Sequence, residues 1–122
     1  MCKDYLILIK EKFKAYSEQD FEVGKTAEFH ISRGGKTISE IKKEILSCKF
    51  LKAVNKEEKS GEERYTLYFI YNKRKGMRYT ITLRGKNIRL ITTIPMGSKT
   101  IQKADRTLKK KFKKMNLLDN IE

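Results

Sequence analysis

Three consecutive segments, 64–72, 77–84 and 87–94, alternate apolar and polar side chains with a period of two. This period is typical of β-strands that bury one face. The segments are rich in Tyr, Ile, Thr and Leu, and they are separated only by the short runs 73–76 and 85–86. Because short turns join antiparallel neighbours, the pattern predicts an antiparallel β-meander.

Helical patterns lie on both sides of these strands. Apolar residues recur at steps of three and four in two places, at Leu6, Ile9, Phe13 and Tyr16 and at Ile101, Ala104, Leu108 and Phe112. This spacing predicts helices within 1–18 and 100–115. Thr37 and Glu40 have the spacing of a capping box, which predicts another helix over 37–49. Residues 20–36 are compatible with a loop, a short strand or a broken helix.

These elements predict a single α+β domain over 1–122, because a chain of 122 residues suits one domain. It would contain two N-terminal helices, a three- to four-stranded antiparallel meander within 50–95 and a basic C-terminal helix. The apolar run 5–9 is too short to cross a membrane, and no signal peptide is evident. We therefore expect a cytoplasmic protein without a membrane partner. Cys2 and Cys48 form no ligand motif, so we expect no metal and no other cofactor.

Strand alternation also sorts the side chains into two faces. The apolar face, expected to lie beneath the helices, contains Tyr65, Leu67, Phe69, Tyr71, Met77, Tyr79, Ile81, Leu83, Ile88, Leu90, Thr92 and Ile94. The opposite face contains Arg64, Thr66, Tyr68, Ile70, Arg78, Thr80, Thr82, Arg84, Arg89, Ile91 and Thr93. Its guanidinium, hydroxyl and aromatic groups could bind phosphates and stack on bases. The same residues are also common on solvated sheet faces.

Charge favours a polyanionic partner, RNA before others. The formal net charge is +14, and residues 61–122 contribute +11 of it, from 16 basic and 5 acidic residues. Such a surface releases counterions when it neutralises a nucleic acid. A Lys-rich surface that only favours solubility, or one that binds an anionic membrane or an acidic protein, would carry the same charge. The predicted interface comprises Arg64, Arg84, Lys73, Arg74, Lys75, Lys99, Lys103, Arg106 and Lys110.

The sequence contains the material for RNA cleavage without a metal. That reaction needs a general base, a general acid and cations that stabilise the developing phosphorane. His30 is the one histidine, and an unperturbed imidazole has a pKa near neutrality. A lone histidine between Phe29 and Ile31 more often has a structural or incidental role. The predicted catalytic set adds cations and a tyrosine that would stack or transfer a proton: His30, Arg33, Arg78, Arg89 and Tyr68.

Several short motifs within residues 26–105 carry a resemblance to a known group of proteins. It rests on His30 followed by Arg33-Gly34, on Ile38-Ser39-Glu40 at a helix start, and on the strands 77–81 and 88–93. In this order the chain resembles small RelE-like toxins and, more closely, an uncharacterised family of the barnase–EndoU–colicin–RelE ribonuclease superfold. The resemblance implies an α+β domain, metal-independent endoribonuclease activity and, in some members, a toxin role with an antitoxin partner.

The residues and the resemblance together predict a small basic RNA-directed protein. A RelE-like endoribonuclease that acts without metal is the most specific form of this prediction, with an acidic antitoxin as a further partner. A non-catalytic nucleic-acid-binding module would use the same face. A viral or plasmid regulator that binds an acidic protein is the second alternative.

Overall fold

The computed structural model describes residues 5–25, 27–28, 31, 36–59 and 61–111. The fold is α+β, as predicted. In chain order its elements are α1 (Tyr5–Phe13), a 3-10 turn (Glu18–Asp20), β1 (Phe21–Val23), α2 (Ile38–Ser47), β2 (Leu51–Lys59), β3 (Glu62–Asn72), β4 (Lys75–Arg84), β5 (Asn87–Met96) and α3 (Ser98–Lys111).

The five strands form one sheet in the order β1-β5-β4-β3-β2. Strands β2 to β5 are antiparallel neighbours, which confirms the meander. The sheet has one strand more than the upper limit of the predicted three to four. The extra strand, β1, pairs in parallel with β5 over only Phe21–Val23. A strand of three residues is too short to display a period of two, so its pairing partner decides its structure.

The helix boundaries follow local capping chemistry. α1 ends at Phe13, earlier than predicted, and is followed by the 3-10 turn, where the Asp20 carboxylate accepts a hydrogen bond from the Ser17 backbone amide at 2.7 Å. The predicted capping box at α2 is confirmed, because the Glu40 amide donates to the Thr37 hydroxyl and the Glu40 carboxylate accepts from the Thr37 amide. α2 ends where Cys48 adopts a left-handed conformation with φ of 55°.

The main core lies between one face of the sheet and the helices α1 and α2. Fully buried side chains of the helices pack there against the inward-facing side chains of the strands. The side chains that are 2% exposed or less include Ile9, Phe13, Ile41, Ile45, Tyr65, Leu67, Phe69, Tyr79, Ile81, Ile88 and Leu90. Their burial confirms the predicted apolar face along β3, β4 and the first half of β5.

Helix α3 lies on the opposite face of the sheet, which was predicted to be open. Ile101 and Leu108 of this helix are 0% and 2% exposed. They belong to a second apolar cluster with Ala53, Tyr68, Ile70 and Met96. The sheet is therefore covered by helices on both faces, although α3 covers only the end of its face where β3 ends and β4 begins. The expectation that all helices pack on one face is wrong.

A bulge in β5 changes the predicted faces beyond Leu90. Ile81 of β4 pairs with Leu90, whereas the preceding residue, Thr80, pairs with Thr92, so Ile91 is an extra residue. An extra residue inverts the alternation of the side chains that follow it. Thr93 consequently lies opposite Tyr79 on the α1–α2 side and is 3% exposed. The predicted faces are therefore wrong for Thr92, Thr93 and Ile94.

Within the described ranges, no helix combines the length and the hydropathy needed to span a membrane.

Candidate nucleic-acid interface

A cleft of about 390 Å³ lies between α3 and the strands β3 and β4. Its size falls within the range of pockets that bind small ligands or single groups of larger ones. Three cationic side chains, two threonines, one tyrosine and one alanine line it: Arg78, Lys99, Lys103, Thr100, Thr107, Tyr68 and Ala104. Of the residues that the structure describes, no acidic one lines this cleft, although Asp105 is buried on the same helix and Glu57 lies close enough to act on Tyr68.

Regular secondary structure brings these side chains together. Tyr68 and Arg78 are direct partners in the β3–β4 ladder, so their side chains leave the sheet on the same side. On α3, Lys99, Lys103 and Thr107 follow one another at steps of four, which places them along one stripe of the helix. The docking residues of α3 form the adjacent stripe. When they pack on the sheet, the cationic stripe faces Tyr68 and Arg78.

Tyr68 forms the floor of the cleft. Its side chain is 8% exposed and belongs to the apolar cluster beneath α3. Burial raises the pKa of its hydroxyl and the Glu57 carboxylate adds to this rise, while the neighbouring Arg78 acts in the opposite direction. The hydroxyl therefore stays protonated at neutral pH and is a hydrogen-bond donor. Because only 8% of Tyr68 is exposed, little of its ring is accessible to a base, and its predicted role in stacking or proton transfer stays a prediction.

Two of the predicted phosphate-binding arginines, Arg64 and Arg84, lie toward the other end of this face. Glu62 accepts a hydrogen bond from Arg84 at 3.0 Å and lies 3.7 Å from the Arg64 guanidinium. The hydrogen bond from Arg84 and the charges of both arginines lower the pKa of Glu62 below its ordinary value. A carboxylate thus pairs directly with the arginines at this end, whereas no described carboxylate is among the residues that line the cleft.

The predicted catalytic set does not form one cluster in the described structure. Arg78 and Tyr68 share the cleft, but Arg89 pairs with Thr82, four residues from Arg78 along β4. At ~3.3 Å per residue this separation is about 13 Å. Arg89 therefore does not line the cleft. His30 and Arg33 lie outside the described residues.

The remaining residues predicted to bind nucleic acid lie on the β3–β4 turn and on α3. Lys73, Arg74 and Lys75 are exposed on the β3–β4 turn, near the start of α3. The Asn72 side chain shapes this turn by accepting hydrogen bonds from two backbone amides, at 2.8 and 2.9 Å. Arg106 is exposed on α3 but does not line the cleft. Lys110 belongs to α3, and its side chain lies outside the described structure.

A second polar cluster, beneath α2, was not predicted. The Glu44 carboxylate accepts hydrogen bonds from the hydroxyls of Tyr71 and Tyr79 and from the Lys36 ammonium, the last at 3.1 Å. Burial and the bonds to Glu44 raise the pKa of both tyrosines far above the ordinary value. In the sequence, the one indication of this cluster is Glu44, an acidic residue next to Ile45 of the apolar stripe of α2. Its partners come from distant strands, which the sequence could not identify.

Sequence reasoning also missed the neutral residues of the cleft. Thr100, Ala104 and Thr107 line the cleft because α3 docks on this face. In the sequence, only their helical spacing relative to Lys99 and Lys103 could have indicated them. Among the described residues, no three His, Cys, Asp or Glu side chains come together as a metal site would require. Comparison of the chain with protein-family models, with curated proteins and with solved structures found no match. The resemblance to RelE-like toxins stays a prediction.

Proposed function

We propose that the protein binds single-stranded RNA through the cleft between α3 and the strands β3 and β4. The observation that carries this proposal is the convergence of Arg78, Lys99 and Lys103 on one cleft that no described carboxylate lines. Arginine and lysine in such an arrangement bind phosphate oxygens by charge-assisted hydrogen bonds.

The surroundings of the cleft favour a single strand over a duplex. A cleft of about 390 Å³ accommodates one phosphate with its attached sugar or base, but not a double helix. The exposed basic turn at 73–75 lies at the same end of the sheet and extends the positive surface along which a strand could continue. Single strands are commonly bound in positively charged grooves of this kind.

Arg78 and Arg84 offer a matched test of this proposal, because they lie on the same strand and the same face. Arg78→Gln is expected to weaken the binding of a short single-stranded RNA about tenfold near 0.1 M salt, since it removes a charge-assisted contact. It should also reduce the slope of log K against log salt by about 0.7. Arg84→Gln is expected to change both quantities much less, because Glu62 already compensates that charge.

Fluorescence anisotropy over a salt series measures both quantities, and thermal unfolding shows whether each variant is folded. Equal losses for the two variants would mean that the cleft has no special role. An affinity of the unaltered protein that does not depend on salt would contradict RNA binding by this surface, because phosphate contacts release counterions.

Metal-independent RNA cleavage is a second candidate, and one observation favours it. The Tyr68 hydroxyl lies at the floor of the cleft beside Arg78, so a proton donor and a phosphate-binding cation occupy the same site. In this reaction a base, a role predicted for His30, accepts the proton of the attacking 2′-hydroxyl. The donor protonates the leaving 5′ oxygen, and the cation stabilises the phosphorane.

If this reaction occurs, RNA incubated with the protein in EDTA should be cleaved to products with 2′,3′-cyclic phosphate ends. Tyr68→Phe should then slow cleavage about 100-fold while RNA affinity falls much less, because the cations of the cleft remain. His30→Ala tests the predicted acid or base in the same assay. Intact RNA at high protein concentration, or unchanged cleavage by Tyr68→Phe, would exclude this mechanism and leave binding as the function.

A further inference from the structure

We infer that the cleft recognises the end of an RNA strand, specifically a terminal phosphomonoester. This inference rests on the proposed RNA binding and names the chemical group that the site takes. It follows from two properties of the cleft, the number of its cations and the way α3 closes it.

The cleft holds more positive charge than one internal phosphate needs. Arg78, Lys99 and Lys103 bring three cations to a volume of about 390 Å³. A phosphodiester inside a chain carries one negative charge, whereas a phosphomonoester carries close to two at neutral pH and offers three terminal oxygens. Thr100 and Tyr68 also line the cleft, and their hydroxyls can donate to those oxygens, whereas the Thr107 hydroxyl donates to the Lys103 carbonyl at 3.0 Å.

The cleft is also closed on the side where α3 meets the sheet. Ile101 and Leu108 are buried in the apolar cluster with Ala53, Ile70 and Met96. They lie seven residues apart, which is about 10 Å along a helix. A polynucleotide therefore cannot pass beneath α3 between these two contacts. The cleft is open to solvent and bounded on one side by α3, so a group that terminates a strand can enter it without having to leave on the blocked side.

The experiment compares four forms of one short oligouridine that carries an internal fluorophore: a 5′-phosphate, a 3′-phosphate, a 2′,3′-cyclic phosphate and hydroxyls at both ends. We expect at least one of the two phosphomonoesters to bind tenfold or more tightly than the hydroxyl-ended strand. The cyclic phosphate, which carries a single charge, should gain little. Preference for one monoester over the other would show which end enters the cleft.

Two double variants locate the preference. Lys99→Gln/Lys103→Gln should abolish the ratio between phosphorylated and hydroxyl-ended RNA. The charge-matched control is Lys43→Gln/Lys86→Gln, which changes exposed residues on α2 and on the β4–β5 turn, and it should retain the ratio. A ratio near one in the unaltered protein, or a ratio that persists in the Lys99→Gln/Lys103→Gln variant, would overturn end recognition.

The same measurements separate this inference from the proposed function. Hydroxyl-ended RNA that binds with steep salt dependence, at a ratio near one, would overturn end recognition alone. Failure of every form of the RNA to bind at low salt would overturn both proposals. The folded state of each variant is verified by its far-UV circular dichroism and thermal unfolding, so that loss of structure is not mistaken for loss of the site.

Discussion

Glu44→Ala is expected to lower the free energy of unfolding by about 3 kcal/mol, because three donors lose their acceptor at once. Tyr79 is fully buried, and Tyr71 is partly buried, so water replaces the lost carboxylate poorly. The Lys36 ammonium would lose its counter-ion beneath α2. Urea denaturation monitored by circular dichroism measures the change.

Two further variants define the cause of this loss. Lys43→Ala, an exposed neighbour of Glu44 on α2, is expected to change stability by less than about 0.5 kcal/mol. Tyr79→Phe removes one donor and leaves the carboxylate with its other partners, so its effect should lie between those of the two alanine variants. A Glu44→Ala protein as stable as Lys43→Ala would show that the polar cluster contributes nothing to stability.

Ile101→Ala is expected to cost about 3 kcal/mol of stability and to weaken RNA binding at the same time. Ile101 is fully buried in the cluster that docks α3, so truncation leaves a cavity there. Looser docking moves Lys99 and Lys103 away from Arg78, which lowers the density of positive charge in the cleft. Denaturant unfolding and anisotropy measure the two effects.

The control for this variant is Gln102→Ala, which alters the adjacent, exposed position of the same helix. It should change neither stability nor affinity appreciably. If Ile101→Ala were destabilised yet bound RNA with full affinity under conditions where it is folded, the docked position of α3 would not be required for binding.

Local features of the fold were predictable because neighbouring residues encode them. Alternation identified β3, β4 and β5, and the capping box identified the start of α2. The bulge at Ile91 was not predictable, because Leu90, Ile91 and Thr92 continue a sequence that suits a regular strand. The ladder with β4 decides where the extra residue lies, and this ladder involves residues about ten positions away.

The candidate site was predictable in part for the same reason. Tyr68 and Arg78 were assigned to one face, and Lys99 and Lys103 were recognised as basic residues of a helix. Glu62 distinguishes the two ends of this face by compensating Arg84, which is 22 residues away in sequence. No sequence spacing indicates such a pair, because it depends on strand register across the sheet.

By itself, the sequence determined the strongly positive second half, the meander and the amphipathic pattern of the last helix. These follow from charge, period and spacing, which are properties of neighbouring residues. Only the tertiary structure decided which side of the sheet α3 covers. Side chains such as Ile70 and Met96 form an apolar patch on the second face only when the strands pair, and α3 buries that patch with Ile101 and Leu108. This docking turns part of a basic sheet face into a cationic cleft that α3 bounds on one side.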